Sequence, residues 1–309
     1  MVINIFGVVL VAFIAIIVFS ERKIYEVHNL GIVLITGAST GIGRAAAEHI
    51  AENYNFLVLA GVRKESDLRN IENLNLKNLV PLMVDVSSHV SCSEAVNNIE
   101  KIAKEKNLPF VALINNAGIG RFSPIEFQDL DDAKTLFDTN VFGLLDMTQQ
   151  LIPLLRESKG RVIMVSSVSG ITSSPFSGIY AASKFAVEAI SDALRRELRA
   201  YGVSVSVVQP GYVSTQIIAS SRKATDISFK EQASDLLNIY PTAAKRAGME
   251  EMMAQQPGPD VTTTPAIAHA LTSAHPKTRY LVAGAFGIHA TAISWLVWAL
   301  SDRLEDLMF

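Results

Sequence analysis

With 309 residues, 49% of them hydrophobic, the chain can bury one sizeable core. Its 27 basic and 30 acidic residues nearly cancel, and the basic ones are scattered, which excludes a phosphate-backbone binder and so a nucleic-acid partner. The single cysteine, Cys92, excludes an internal disulfide framework and reads as a small buried hydrophobe in a reducing compartment. No metal-ligand set is read from the sequence.

In chain order, the run "VINIFGVVLVAFIAIIVF" carries no charge, and Arg22 and Lys23 follow it. Its length comes close to the ~20 residues a helix needs to cross a hydrocarbon core. There is no basic segment before it and no small-residue cleavage site after it, so it reads as an uncleaved anchor rather than a signal peptide. Residues 1–20 are therefore expected to form a single-pass membrane helix. The basic flank keeps the following domain, residues 21–309, on the cytoplasmic side, at the endoplasmic reticulum if the cell is eukaryotic.

Beyond the anchor, short β-branched apolar runs alternate with helical segments, the pattern of a parallel sheet covered on both faces. Strands are expected at 32–36, 56–61, 79–84, 111–116, 161–167, 203–209 and 279–284. Seven strands predict an α/β, doubly wound parallel sheet of the Rossmann type. A long, mostly polar stretch at 214–268 interrupts the alternation and is expected to be a substrate lid. The apolar tail, 285–309, contains Trp295 and Trp298 and predicts a core helix that also lies at an interface.

Four stretches could carry chemistry. After the first strand, "TGASTGIGRA" places Gly37, Gly41 and Gly43 in a turn that opens a helix, where bare backbone can approach a pyrophosphate. The fourth strand ends in "NNAG", Asn115 to Gly118. Asn140 falls inside a predicted helix, where an amide that competes for the backbone signals a kink, a water site or a function. The fifth strand ends in Ser166 and Ser167, and Tyr180 and Lys184 follow at a four-residue spacing that puts both on one helix face.

Together "TGASTGIG", "NNAG", Asn140, Ser167, "YAASK" and "PGYVST" resemble, in order and spacing, the short-chain dehydrogenase/reductase family from about Gly31 to Val282. The nearest resemblance is to the membrane-associated steroid and retinol dehydrogenase branch. The resemblance implies that Tyr180 is the general acid or base for a substrate hydroxyl or carbonyl, and that Ser167, rather than Ser166, orients the substrate oxygen. Lys184 would hold the ribose and lower the phenol's pKa, and Asn140 would hold a relay water. Lowering a phenol by ~2 units requires ~2.7 kcal/mol, and a charge at ~4 Å in an effective dielectric of ~20 supplies ~4 kcal/mol. The same resemblance places the dinucleotide against Gly37, Ser39, Thr40, Gly41, Ile42, Gly43, Arg63, Asp85, Val86, Asn115, Ala117, Tyr180, Lys184, Val213 and Thr215. Gly61 stands where an NAD-selective acid is expected and Arg63 suits a 2′-phosphate, so NADP is expected over NAD. A lipophilic substrate and a homodimer complete the expectation. A non-catalytic dinucleotide-binding sensor or scaffold has the retained Tyr180 and Lys184 against it, and an extended-branch epimerase or dehydratase has the glycine-turn spacing against it.

Overall fold

The computed structural model describes residues 23–215, 239–240, 255–285 and 288–299. Seven strands, β1 (Gly31–Ile35), β2 (Phe56–Val62), β3 (Leu79–Met83), β4 (Phe110–Asn115), β5 (Arg161–Val165), β6 (Ser204–Pro210) and β7 (Arg279–Val282), form one sheet in the order 3-2-1-4-5-6-7. Every pairing is parallel. All seven lie where the apolar runs predict them. β1, β4 and β5 are buried along their whole length, which is why they read as unbroken runs rather than alternations. Pro81 is tolerated in β3 because that strand is the sheet edge.

Helices α1 (Gly41–Asn53), α2 (Glu65–Glu72), α3 (His89–Lys106), α4 (Leu130–Phe137), α5 (Leu144–Ser158) and α6 (Gly178–Leu198) connect the strands; α7 (Thr263–Thr272) precedes β7. Two buried clusters result, one on each sheet face. One gathers Val33, Ile35, Ala46, Ile50 and Ile267 under α1 and α7, and the other Leu34, Leu113, Met147, Leu151 and Val187 under α3, α5 and α6. Strand order reverses between β1 and β4, so the crevice of a doubly wound sheet opens at their carboxyl ends.

Three expectations change. A single-pass anchor is not supported, because no helix among the described residues is long and apolar enough to cross a membrane. Residues 1–20, on which it rested, lie outside the described residues, and with them goes the assignment of a membrane side. Part of the stretch 214–268, expected to be a lid, is core instead. α7 already belongs to the core, with Thr263 and Ile267 fully buried, because "TTPAIAHAL" turns an apolar face onto the sheet. Most of 216–254 lies outside the described residues. In the tail, a short hairpin, β8 (Gly284–Ala285) with β9 (Ile288–His289), leads into helix α8 (Ala290–Ala299). Ala290 and Ile293 pack inward and Trp295 and Trp298 face out, 65% and 80% exposed, while residues 300–309 lie outside the described residues.

Candidate active site

The glycine turn after β1 is locked to the end of β4. The Asn116 amide donates to the carbonyls of Thr36 (2.9 Å) and Gly37 (3.0 Å), and the Thr36 hydroxyl accepts from the backbone N–H groups of Asn116 and Ala117. Gly37 and Gly41 take left-handed backbone angles, φ 65° and 59°. Gly43 has an ordinary conformation but no room, since a Cβ there would lie 2.3 Å from Asn116 Nδ2 and 2.5 Å from the Gly37 carbonyl. The turn delivers the first residues of α1 with no acidic side chain in the first turn and no side-chain hydrogen bond from the N-cap, Thr40. Its N–H groups are thus left for an anion.

One of the other predicted cofactor residues, from after β6, reaches this turn. Thr215 meets Gly41, 3.3 Å from the position a Cβ would take, so "PGYVST" and "TGASTGIG" adjoin in space. Val213 is buried beneath. Ser39 and Ile42 are half-buried in the turn, and Arg63 is exposed just past β2. Asp85 is fixed by Ser87, whose N–H and hydroxyl both donate to it, and Val86 is buried beside it, its carbonyl approached closely by Gly143. Asn115 directs its side chain away from the turn. Its amide turns into the core and donates to the Thr148 hydroxyl at 2.8 Å.

Tyr180, Ser167, Lys184 and Asn140 converge at the same edge. Asn140 sits in a single π-helical turn, Asp138–Gly143, between α4 and α5, the local kink that a mid-helix amide predicts. Its Oδ1 accepts from Ile119 N–H at 2.8 Å, and its Nδ2 donates to the Ile119 carbonyl and the Ser183 hydroxyl. Both amide hydrogens are therefore engaged, and a relay water cannot use them. Gly118 lies over both Asn140 and Lys184, its would-be Cβ 3.3 Å from Asn140 Oδ1 and 3.7 Å from Lys184 Nζ. The serine pair separates: the Ser167 hydroxyl accepts from Ser169 N–H at 3.1 Å and hydrogen-bonds with the Tyr180 phenol, whereas Ser166 faces the interior.

Lys184 Nζ donates to the Val165 carbonyl at 3.0 Å and lies 5.8 Å from the Tyr180 ring centroid. Burial pulls its pKa down to about 8, against the pull of Glu188, which favours the ammonium. Burial pushes the Tyr180 phenol above its ordinary value, and the Ser167 hydrogen bond opposes that rise. The resemblance implies that Lys184 lowers the phenol's pKa. In the folded chain burial is the largest influence on both groups, because each loses water on entering the same edge.

One aromatic ring lies against the phenol, and a separate aromatic cluster includes a residue of the long excursion. Phe122 packs against Tyr180 with ring centroids 5.4 Å apart, and Tyr240 sits edge-on to Phe127 and Phe176 at 6.1 and 6.0 Å. The Tyr240 hydroxyl donates to Glu126 at 2.9 Å, which ties this residue of the long excursion to the segment that follows β4. Sequence reasoning missed Asn116, Phe122 and Tyr240. Asn116 was legible as the second amide of "NNAG", but the other two had no local signal.

A family model described as short chain dehydrogenase matches residues 31–226. The chain belongs to the short-chain dehydrogenase family. Members of this family are NAD(P)-dependent oxidoreductases acting on CH–OH groups. An NADPH-dependent 3-dehydrocapnine reductase from Ornithobacterium rhinotracheale is 32% identical over 89% of this chain and 95% of its own. Human retinol dehydrogenase 16 is 33% identical over 85% and 83%. A 3-amino-tetrahydro-pyrrolizinone reductase from Xenorhabdus hominickii is 43% identical, over 60% of this chain and 62% of that protein. Among solved structures, a short chain dehydrogenase/reductase from Burkholderia phymatum in complex with NAD covers 91% of this chain and 95% of its own at a TM-score of 0.70 and 24% identity, a likeness of fold. In this short-chain dehydrogenase the glycine turn, the strand-end amide clamp and the Tyr180 edge meet at one crevice, and the residues present fit a dinucleotide. The uncapped helix N-terminus suits phosphates, and bare backbone at Gly37 and Gly41 allows close approach.

Proposed function

We propose that the chain is an NADP(H)-preferring oxidoreductase that interconverts an alcohol and a ketone or aldehyde on a lipophilic substrate. The observation that carries the reading is the meeting of the buried Lys184 ammonium, the Tyr180 phenol and the Ser167 hydroxyl beside a glycine turn whose helix N-terminus is uncapped.

A bound nicotinamide supplies the acceptance or donation of hydride; the rest of the chemistry falls to this chain. In reduction the Tyr180 hydroxyl donates its proton to the substrate oxygen, and in oxidation the phenolate removes it. Ser167, already hydrogen-bonded to the phenol, orients that oxygen. Lys184 offsets the phenolate charge that forms on proton transfer. Asn140 and Gly118 hold the wall that keeps the ammonium in place.

Preference for NADP is supported by the exposed guanidinium of Arg63 beyond β2, by Gly61 in place of an acid, and by the NADPH dependence of the Ornithobacterium relative. A lipophilic substrate is supported by Phe122 against the phenol and by the likeness to retinol dehydrogenases. Pairing as a homodimer through the helices bearing Asn140 and Tyr180 would cover Phe142 and Phe185, 58% and 46% exposed there.

The test is purified protein with NADPH and a panel of lipophilic ketones and aldehydes. Turnover is expected, and Tyr180→Phe abolishes it while NADPH binding survives. NADPH binding with no turnover on any panel member overturns the enzyme reading in favour of a dinucleotide-binding sensor.

A further inference from the structure

Glu188 follows Lys184 by one helical turn on α6, so the two side chains are neighbours on one face, and both are buried. Its two carboxylate oxygens have different fates. Oε2 accepts from Arg279 Nε at 3.1 Å, from the edge strand β7, while Oε1 is buried with no hydrogen-bond partner among the described residues. The Ser166 hydroxyl and the Gln209 amide are likewise buried without partners. Ser166 shares the small space beside Glu188: a Cβ on Gly170 would fall 2.8 Å from Ser166 Oγ, 3.0 Å from Glu188 Cγ and 3.1 Å from the Lys184 carbonyl.

A carboxylate oxygen kept from water without a donor is costly, and an edge strand could be tied to α6 without it. Arg279 already reaches Asp192, one turn further along α6, at 3.0 Å, and Asp192 also holds Arg195. What Glu188 adds is a negative charge one helical turn from the buried ammonium. The charged and titratable groups around the pair are Tyr180, Asp192 and Arg195 from α6 and Arg279 from β7; the π turn and β5 contribute only neutral groups, Asn140 and the Val165 carbonyl.

We propose that Glu188 is a positioning residue, the buried counter-charge that holds Lys184 as an ammonium, and that Arg279 attenuates it from the far side. The reading of Lys184 as a working part of the site rests on the oxidoreductase assignment, but the charge relation does not. Two substitutions separate this role from a structural tie. Glu188→Gln and Arg279→Gln break the same ion pair, so a tie between α6 and β7 would move every property in the same direction. The counter-charge role moves Lys184 in opposite directions: losing Glu188 favours the neutral amine, and losing Arg279 leaves Glu188 unopposed and favours the ammonium.

The experiment titrates the Lys184 ε-carbon by NMR in the full chain with 13C-labelled lysine, assigned by its loss in Lys184→Met. It then compares the alkaline limb of the turnover profile with NADPH and a panel carbonyl substrate. Glu188→Gln is expected to lower the midpoint and the limb by about one pH unit or more, and Arg279→Gln to raise both. Should Glu188→Gln fold poorly, Glu188→Asp, which withdraws the carboxylate, is expected to give a smaller downward shift. Shifts of the same sign in both variants, or an unmoved Lys184 in Glu188→Gln and Glu188→Asp, overturn the proposal. An absence of turnover in the parent chain refutes the oxidoreductase reading alone, because the NMR titration still decides the role of Glu188.

Discussion

Gly43→Ala tests how the fold builds the site. The added methyl would sit 2.3 Å from Asn116 Nδ2 and 2.5 Å from the Gly37 carbonyl. The carbonyl belongs to a turn fixed on both sides and cannot retreat, so the Asn116 amide must leave. Its departure removes the hydrogen bonds to Thr36 and Gly37 at 2.9 and 3.0 Å. Each such bond contributes about 0.5–1.5 kcal/mol, and the overpacking itself costs about 1–3 kcal/mol. The sum is roughly 2–6 kcal/mol, or a fall in Tm on the order of 5–15 °C for a domain of this size. Gly41→Ala is the informative contrast. Gly41 has the left-handed φ of 59°, yet among the described residues a Cβ there meets only Thr215, at 3.3 Å. Left-handed strain for alanine is about 1–2 kcal/mol, so Gly41→Ala is expected to be the milder change. Thermal unfolding ranks the two, and NADPH titration of each variant shows whether the distorted turn still binds. Reasoning from backbone angles alone ranks them the other way. A Gly43→Ala protein that melts within a degree of the parent, or above Gly41→Ala, refutes the clamp described here.

Three further outcomes are expected. Lys184, with a folded pKa near 8 against about 10.5 when unfolded, carries a burial penalty that is fully present below pH 8 and relieved as pH rises from 8 towards 10.5. Urea unfolding should therefore show the parent gaining on Lys184→Met across that window by an amount on the order of 3 kcal/mol, and parallel pH curves would contradict it. Thr148→Val deprives the buried Asn115 amide of its hydroxyl partner and should lower stability by about 1–3 kcal/mol in chemical denaturation without weakening NADPH binding, since that amide faces the core. Burial, reinforced by Asp146, pushes the Cys92 thiol up to about 12, so a thiol reagent at pH 8 should label it only after unfolding; rapid labelling of the native chain would place the sulfur elsewhere.

What the sequence made legible follows from how far apart in the chain the deciding contacts lie. A strand buried on both faces must be apolar at every position, so five to seven residues suffice to announce it, and the strands appear where their runs stand. Asn140 was legible for a similar local reason: a helix rejects an amide in its interior, and the chain answers with a π turn at Asp138–Gly143. The neighbouring amides Asn115 and Asn116 show where local reasoning stops. Side chains alternate along a strand, so Asn115 joins Leu113 on the α5 face and finds Thr148, leaving Asn116 to turn back on the glycine loop. Only the strand's exact end decides which amide does which, and that end is set by pairing with β1 and β5, distant in sequence. The electrostatics of Lys184 are less legible still. Spacing places Tyr180 and Glu188 one turn to either side of it, but the sign of the net effect depends on how completely Val165, Asn140 and Gly118 exclude water. Those groups come from β5, the π turn and the end of β4, and the burial they impose, which lowers Lys184 and raises Tyr180, is not written in the spacing.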